Sequence, residues 1–199
     1  MSEQIEIEFK NLLSDAEFER LIAAHHISDE QFIEQKNHYF DTPNFALKDC
    51  QSALRIREKN GRYEMTLKQP LPDGHGLLET NLTLDSGAAR ALLSGETIQE
   101  GPVYDKVRLM GIDPNLLSCF GTLTTARAEI PYEDGLLVFD KSTYFDVTDY
   151  ELEFEANHYE KGKRIFQELL QKANIPARAT DNKVKRFFME MQRVKKLEE

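Results

Sequence analysis

The sequence predicts an α+β fold built on an antiparallel sheet. Three observations lead there. Charged and apolar residues alternate in about eight short runs. Most of these runs follow one another in hairpin order. The segments between and after them carry apolar residues at helical spacing. With 199 residues, 40% of them hydrophobic, the chain can bury a core of useful size. It reads as a single domain over residues 1–199, with no Gly/Ser linker, low-complexity stretch or fixed-period repeat to divide it.

The elements follow in order. Glu6-Ile7-Glu8-Phe9-Lys10 alternates as a strand whose charged and apolar residues face opposite ways. Ser14-Asp15-Ala16-Glu17 fits a capping box that opens a helix running to His25, with Phe18, Leu21 and Ile22 as its apolar stripe. A strand is expected from Gln31 to Asp41, stopped by Thr42-Pro43. Asn60-Gly61 between the alternating runs Ala53–Lys59 and Arg62–Gln69 is a strong hairpin signal. Pro70 to Gly76 is a loop, and Leu77–Leu84 a strand. Asp85 to Asp113 reads as helical and connects two halves of the chain. Gly121–Pro131, Leu136–Thr143 and Tyr150–Glu155 are further strands, with Glu133-Asp134-Gly135 turning between the first two. Tyr159–Ala173 is an amphipathic helix, and Asp181 is expected to cap a last helix that ends near Leu197.

The formal net charge of −10 argues against a general nucleic-acid or membrane-surface binder, which is normally basic. It does not exclude an anionic ligand held by a local basic cluster or by metal ions. Cys50 and Cys119 have neither CxxC spacing nor a nearby zinc-type histidine and fit a reducing compartment. No apolar run is long enough for a membrane span, so a cytoplasmic protein is expected.

The candidate chemistry lies in the alternation. Glu6 and Glu8 repeat about 7 Å apart along one strand face, a spacing that suits oxygen ligation of a hard divalent cation such as Mg²⁺ or Mn²⁺. Glu151-Leu152-Glu153 repeats the pattern, and Leu54-Arg55-Ile56-Arg57 puts two guanidiniums on one face. Lys68, Glu79, Arg127 and Asp140 each alternate with apolar neighbours. Two arrangements meet this pattern. In one, the charged faces meet water and the apolar faces pack together, as in most amphipathic sheets. In the other, the sheet closes, the charged faces turn inward and helices cover the outside. Periodicity leaves both open.

Taken in order, Glu6-x-Glu8-x-Lys10, Tyr39-Phe40-Asp41-Thr42-Pro43, Leu54-Arg55-Ile56-Arg57, Thr66-Leu67-Lys68, Arg127 and Glu151-Leu152-Glu153 resemble the CYTH superfamily, the triphosphate tunnel metalloenzymes. The resemblance runs from about residue 3 to residue 190. It implies a closed eight-stranded antiparallel β-barrel, a tunnel with helices packed outside. It also implies Mg²⁺ or Mn²⁺ as cofactor and a triphosphate-containing small molecule as ligand. Carried over by position, Glu6, Glu8, Glu151 and Glu153 become metal ligands, supported by Glu79 and Asp140. Lys10, Arg55, Arg57, Lys68, Arg127 and Lys183 become phosphate ligands, and Glu6, Glu8, Lys10, Arg55, Arg57 and Glu153 the catalytic set. Lys183 also fits the solvated face of the last helix, beside Lys185 and Arg186.

The reaction expected from the resemblance is metal-dependent hydrolysis of a triphosphate: tripolyphosphate, a nucleoside triphosphate or thiamine triphosphate. The alternatives are an adenylate cyclase, in which a ribose hydroxyl attacks the α-phosphorus, and a non-catalytic polyphosphate or nucleotide binder. Whether the chain forms a homodimer stays open. Tyr39 and Asp41-Thr42-Pro43 read as packing and turn residues. His25 and His26 read as a helix end without a metal context.

Overall fold

The N-terminal alternation forms two strands, not one. In the computed structural model, which describes residues 2–198, β1 covers Ser2–Glu6 and β2 covers Glu8–Leu13. Met1 and Glu199 of the expected 1–199 span lie outside the described residues. The break falls at Ile7, whose carbonyl accepts the Ala156 N–H at 2.8 Å. The described residues therefore hold nine strands where eight were expected.

α1 (Asp15–Ala24) starts at the expected capping box: Ser14 Oγ accepts the Glu17 N–H, and Glu17 accepts the Ser14 N–H. A 3-10 turn over Asp29–Gln31 delays the next strand, so β3 runs Ile33–Asp41. The short α2 (Ala46–Asp49) was not expected. The buried Asp41 carboxylate organises it by accepting the N–H groups of Thr42, Leu47 and Lys48 at 2.8–3.0 Å. β4 (Ala53–Lys59) and β5 (Arg62–Pro70) form the Asn60-Gly61 hairpin, whose turn residues both have positive φ, 51° and 70°. That conformation favours Asn-Gly.

β6 (Leu77–Leu84) is followed by α3 (Ser86–Leu93), capped by Asp85, and by α4 (Pro102–Leu109) with Pro at its first turn. β7 (Ser118–Tyr132), β8 (Gly135–Tyr144) and β9 (Val147–Glu155) form a meander. They are followed by α5 (Tyr159–Lys172) and α6 (Lys183–Glu198). Asp181 does not cap α6. Asn182 Oδ1 accepts the Lys185 N–H at 2.8 Å, while Asp181 pairs with the Lys185 ammonium at 2.7 Å.

The described residues divide into two compact units, residues 2–6 with 35–122 and residues 7–34 with 123–198. In the first, the strand order is β1-β6-β5-β4-β3, antiparallel at each pairing. Its apolar face, with Leu54, Ile56, Met65 and Leu67, packs against Leu92 of α3 and Val103 and Val107 of α4. In the second, the order is β7-β8-β9-β2, again antiparallel. There Ala128, Leu137, Phe139, Leu152 and Phe154 pack against Phe18 and Leu21 of α1 and Ile165, Phe166 and Leu169 of α5. Within each unit, helices cover the apolar strand face and leave the charged side chains on the other, as period-2 alternation requires.

Candidate metal and phosphate site

Strand register sets the charged cluster of the second unit. Arg127 of β7 lies opposite Asp140 of β8, Asp140 opposite Glu151 of β9, and Glu153 opposite Lys10 of β2. All five side chains share one face. Asp140, Glu151 and Glu153 are almost fully buried, and one carboxylate oxygen from each lies within 4.8 Å of the other two. Arg127 donates Nε and Nη2 to the two Asp140 oxygens at 2.7 and 2.6 Å, and Nη2 also to Glu153 at 2.8 Å. This is bidentate recognition, for which the planar guanidinium is suited.

The Lys183 ammonium stands among the three carboxylates. It binds Asp140, and it lies 3.0 Å from Glu151 and 2.9 Å from Glu153. It is therefore not on a solvated helix face; α6 begins at Lys183 and aims it inward. One turn later Arg186 lies 2.7 Å from Glu151 and 2.9 Å from Asp149. In sequence Arg186 reads as part of a solvated helix face, a basic residue among other basic residues. Its i+3 spacing from Lys183 was the available signal.

These neighbours set the protonation of the cluster. Burial works against the charges on Asp140 and Glu153, but Arg127 and Lys183 outweigh it and hold both carboxyls below the usual range. Glu151 goes the other way. Burial pushes it up to about 7, with Lys183 opposing and Glu153 adding. Neither Glu151 oxygen has a well-aligned hydrogen bond, despite its two close cations. Lys10 donates to Glu8; burial depresses its basicity, but Glu8 and Glu153 more than restore it.

The first unit carries a second charged face. Lys68 binds Glu6 at 2.5 Å and Glu79 at 2.7 Å, and Gln4 donates to Glu79 at 2.9 Å. Burial opposes the Glu79 charge, yet Lys68 lowers its carboxyl to about 2. Arg57 Nε donates to the buried Asn37 at 2.9 Å, and Thr66 to Asn81 at 2.7 Å. Arg55 lies on this face opposite Thr66 and Tyr39 in register, and its Nε has no hydrogen-bond partner among the described residues. The structure thus gathers Arg127, Asp140, Glu151, Glu153 and Lys183, with Lys10 and Glu8 alongside. Separately, it gathers Glu6, Lys68 and Glu79, with Arg55 and Arg57 on the same face.

The oxygen donors fit a hard divalent cation: three buried carboxylates converge, and one of them, Glu151, lacks an aligned donor. Residues 4–188 match the sequence model of the CYTH domain. The chain belongs to the CYTH family. The Bacillus subtilis protein named "Putative triphosphatase YjbK" is 47% identical over 190 residues, which cover 96% of this chain and 97% of that one. The crystal structure of a Bacillus halodurans protein named a putative adenylate cyclase is 46% identical, with a TM-score of 0.90 over 94% of this chain and 100% of the other. A Hippeastrum protein, named a putative adenylyl cyclase and described as having a dominant triphosphatase activity, is 25% identical. Its TM-score is 0.77, over 94% of this chain and 95% of that one. The α+β fold expected for a CYTH chain is therefore present. Among the described residues no helix is long and apolar enough to cross a membrane.

Proposed function

We propose that this CYTH chain, acting as one domain over residues 1–199, is a metal-dependent triphosphatase. The supporting observation is the buried charge on the β7-β8-β9-β2 face. Burying three carboxylates with three cations is costly, and an apolar interior of equal volume would stabilise the fold as well or better. A ligand accounts for such charges where stability does not. The family's closed eight-stranded tunnel, with the charged faces as its lining, is part of the same proposal, β1 and β2 counting as one interrupted strand.

In this reading Lys10, Arg55, Arg57, Lys68, Arg127 and Lys183 hold phosphate oxygens. Glu6, Glu8, Glu151 and Glu153, with Glu79 and Asp140, hold Mg²⁺ or Mn²⁺. Bound there, the ion would supply charge neutralisation for the phosphoryl oxygens and Lewis-acid activation for hydrolysis. The chain's own contribution is positioning. Arg127 and Lys183 exchange part of their carboxylate contacts for phosphate oxygens, the guanidinium through paired donors and the ammonium as a point charge. The carboxylates they release become available as oxygen donors. Glu8 keeps Lys10 oriented through their direct bond.

The test is a panel of tripolyphosphate, ATP and thiamine triphosphate with Mg²⁺ or Mn²⁺, measuring phosphate, pyrophosphate and cyclic AMP. Phosphate release that is lost with EDTA and in Glu8→Gln is expected. Cyclic AMP with pyrophosphate from ATP would instead assign a cyclase. Tight binding without turnover would assign a binder.

A further inference from the structure

Residues 175–182 form neither helix nor strand, yet they deliver Lys183 into the carboxylate cluster. Arg178 fastens this segment. Its guanidinium donates Nη1 and Nη2 to the two Glu17 oxygens at 2.8 and 2.9 Å, and Nη1 also to the Leu12 carbonyl at 2.8 Å. Its backbone N–H donates to Asn11 Oδ1 at 2.6 Å, and the buried Asn11 returns a bond to the Pro176 carbonyl at 3.2 Å. The Leu12 N–H donates to Thr180 Oγ1 at 3.2 Å.

Every anchor lies on β2 or on the first turn of α1. β2 carries Lys10 and pairs with β9, the strand of Glu151 and Glu153. Glu17 is itself fixed, because the same carboxylate closes the α1 capping box on the Ser14 N–H at 2.7 Å. The segment is thus tied to the strand pair that carries the carboxylates.

We propose that Arg178, held by Glu17 and Asn11, is a positioning residue for the triphosphate reaction, acting through Lys183. The proposal rests on the triphosphatase reading for its kinetic consequence but not for its structural one. The Arg178 and Glu17 side chains are 36% and 14% exposed, and an ion pair that water reaches stabilises a fold only modestly. A four-point attachment five residues before Lys183 instead fixes where the ammonium stands, and misplacing a binding group by about 1 Å costs up to on the order of 100-fold in rate.

The experiment is a double-mutant cycle of Arg178→Ala and Lys183→Ala, with Arg178→Lys as the conservative variant. Two readouts are taken: kcat/KM for tripolyphosphate with Mg²⁺, and the labelling rate of each lysine by an amine-reactive reagent, read by mass spectrometry. Arg178→Ala is expected to lower kcat/KM by on the order of 10- to 100-fold. In the Lys183→Ala background it should add less than about 2-fold, as for residues acting through one another. Arg178→Lys should fall between. Lys183 labelling should rise about 10-fold in Arg178→Ala while Lys68 labelling stays constant. Independent effects of the two substitutions on kcat/KM, or Lys183 labelling that is unchanged or rises equally with Lys68, would overturn the proposal. If the wild type hydrolyses no triphosphate, the triphosphatase reading fails by itself, and the labelling still decides whether Arg178 positions Lys183.

Discussion

Arg127 is gripped by the two Asp140 oxygens and by Glu153, and it is buried with them. Removing one member of such a set leaves its partners desolvated without compensation. Arg127→Met is therefore expected to destabilise by about 3–5 kcal/mol in urea unfolding, with Lys183 as the remaining cation that keeps the loss near the lower figure. Glu17 gives a pH test. Its hydrogen bonds with Arg178 lower its carboxyl from the ordinary value of 4.5 to about 2. A depressed carboxyl contributes stability above its unfolded value and loses it as protons bind to the folded state. The stability difference between wild type and Glu17→Gln is thus expected to be constant above about pH 5 and to shrink as pH falls from 4.5 toward 2. Gln retains the capping box, so the difference isolates the charge. Residues of this kind divide by legibility. Arg127, Asp140, Glu151 and Glu153 were readable because strand alternation marks which face a charge occupies. Arg178, Arg186 and the tie from Glu17 to Arg178 were not. A charge in a loop or on a helix end looks solvated until tertiary contacts show what it touches.

Elements were legible where a local rule decides them and illegible where a distant partner does. The Asn60-Gly61 turn and the Ser14–Glu17 capping box depend on residues within four positions, and both form. The break at Ile7 does not. Glu6, Glu8 and Lys10 keep their parity across it, no Gly or Pro marks it, and it exists because β1 pairs with β6 while β2 pairs with β9. Asn182 displaces Asp181 as the α6 cap by one residue, within the ordinary ambiguity of adjacent capping side chains. Gly162 in α5 is an element-scale case where magnitudes decide the sign. Ala would gain about 1 kcal/mol of helix propensity over Gly. A Cβ there would stand 2.4 Å from the Ala156 Cβ and 2.8 Å from the Phe9 ring, so α5 would have to shift off β2. Overpacking of this degree typically costs about 1–3 kcal/mol. Gly162→Ala is therefore expected to lower stability by up to about 2 kcal/mol despite the better helix former, as measured by chemical denaturation.

For the whole molecule, the charge balance is the controlling quantity. The chain carries a net −10, yet the substrate proposed for it is an anion. At physiological ionic strength the Debye length is about 8 Å, so the global charge is largely screened and the local cations on each charged face dominate close approach. In the second unit those cations are already engaged by carboxylates. A triphosphate arriving alone must compete with Asp140, Glu151 and Glu153 for Arg127 and Lys183 and leaves those carboxylates uncompensated. Arriving with a divalent cation, it brings a replacement charge for them. Composition argues against general nucleic-acid binding, and the ordered motifs point to a triphosphate ligand by resemblance. This coupling became visible only when the ammonium of Lys183 was found among the carboxylates. The expected outcome follows from linkage. Tripolyphosphate with Mg²⁺ at 100 times its Kd stabilises by about 2.7 kcal/mol, which raises Tm by roughly 5–11 °C for a chain of this length. Tripolyphosphate with EDTA should give a much smaller shift, and Glu151→Gln should abolish the metal-dependent part. Equal shifts with and without Mg²⁺, read by differential scanning calorimetry, would show that the carboxylates need no replacement cation and that the cluster does not link metal to substrate.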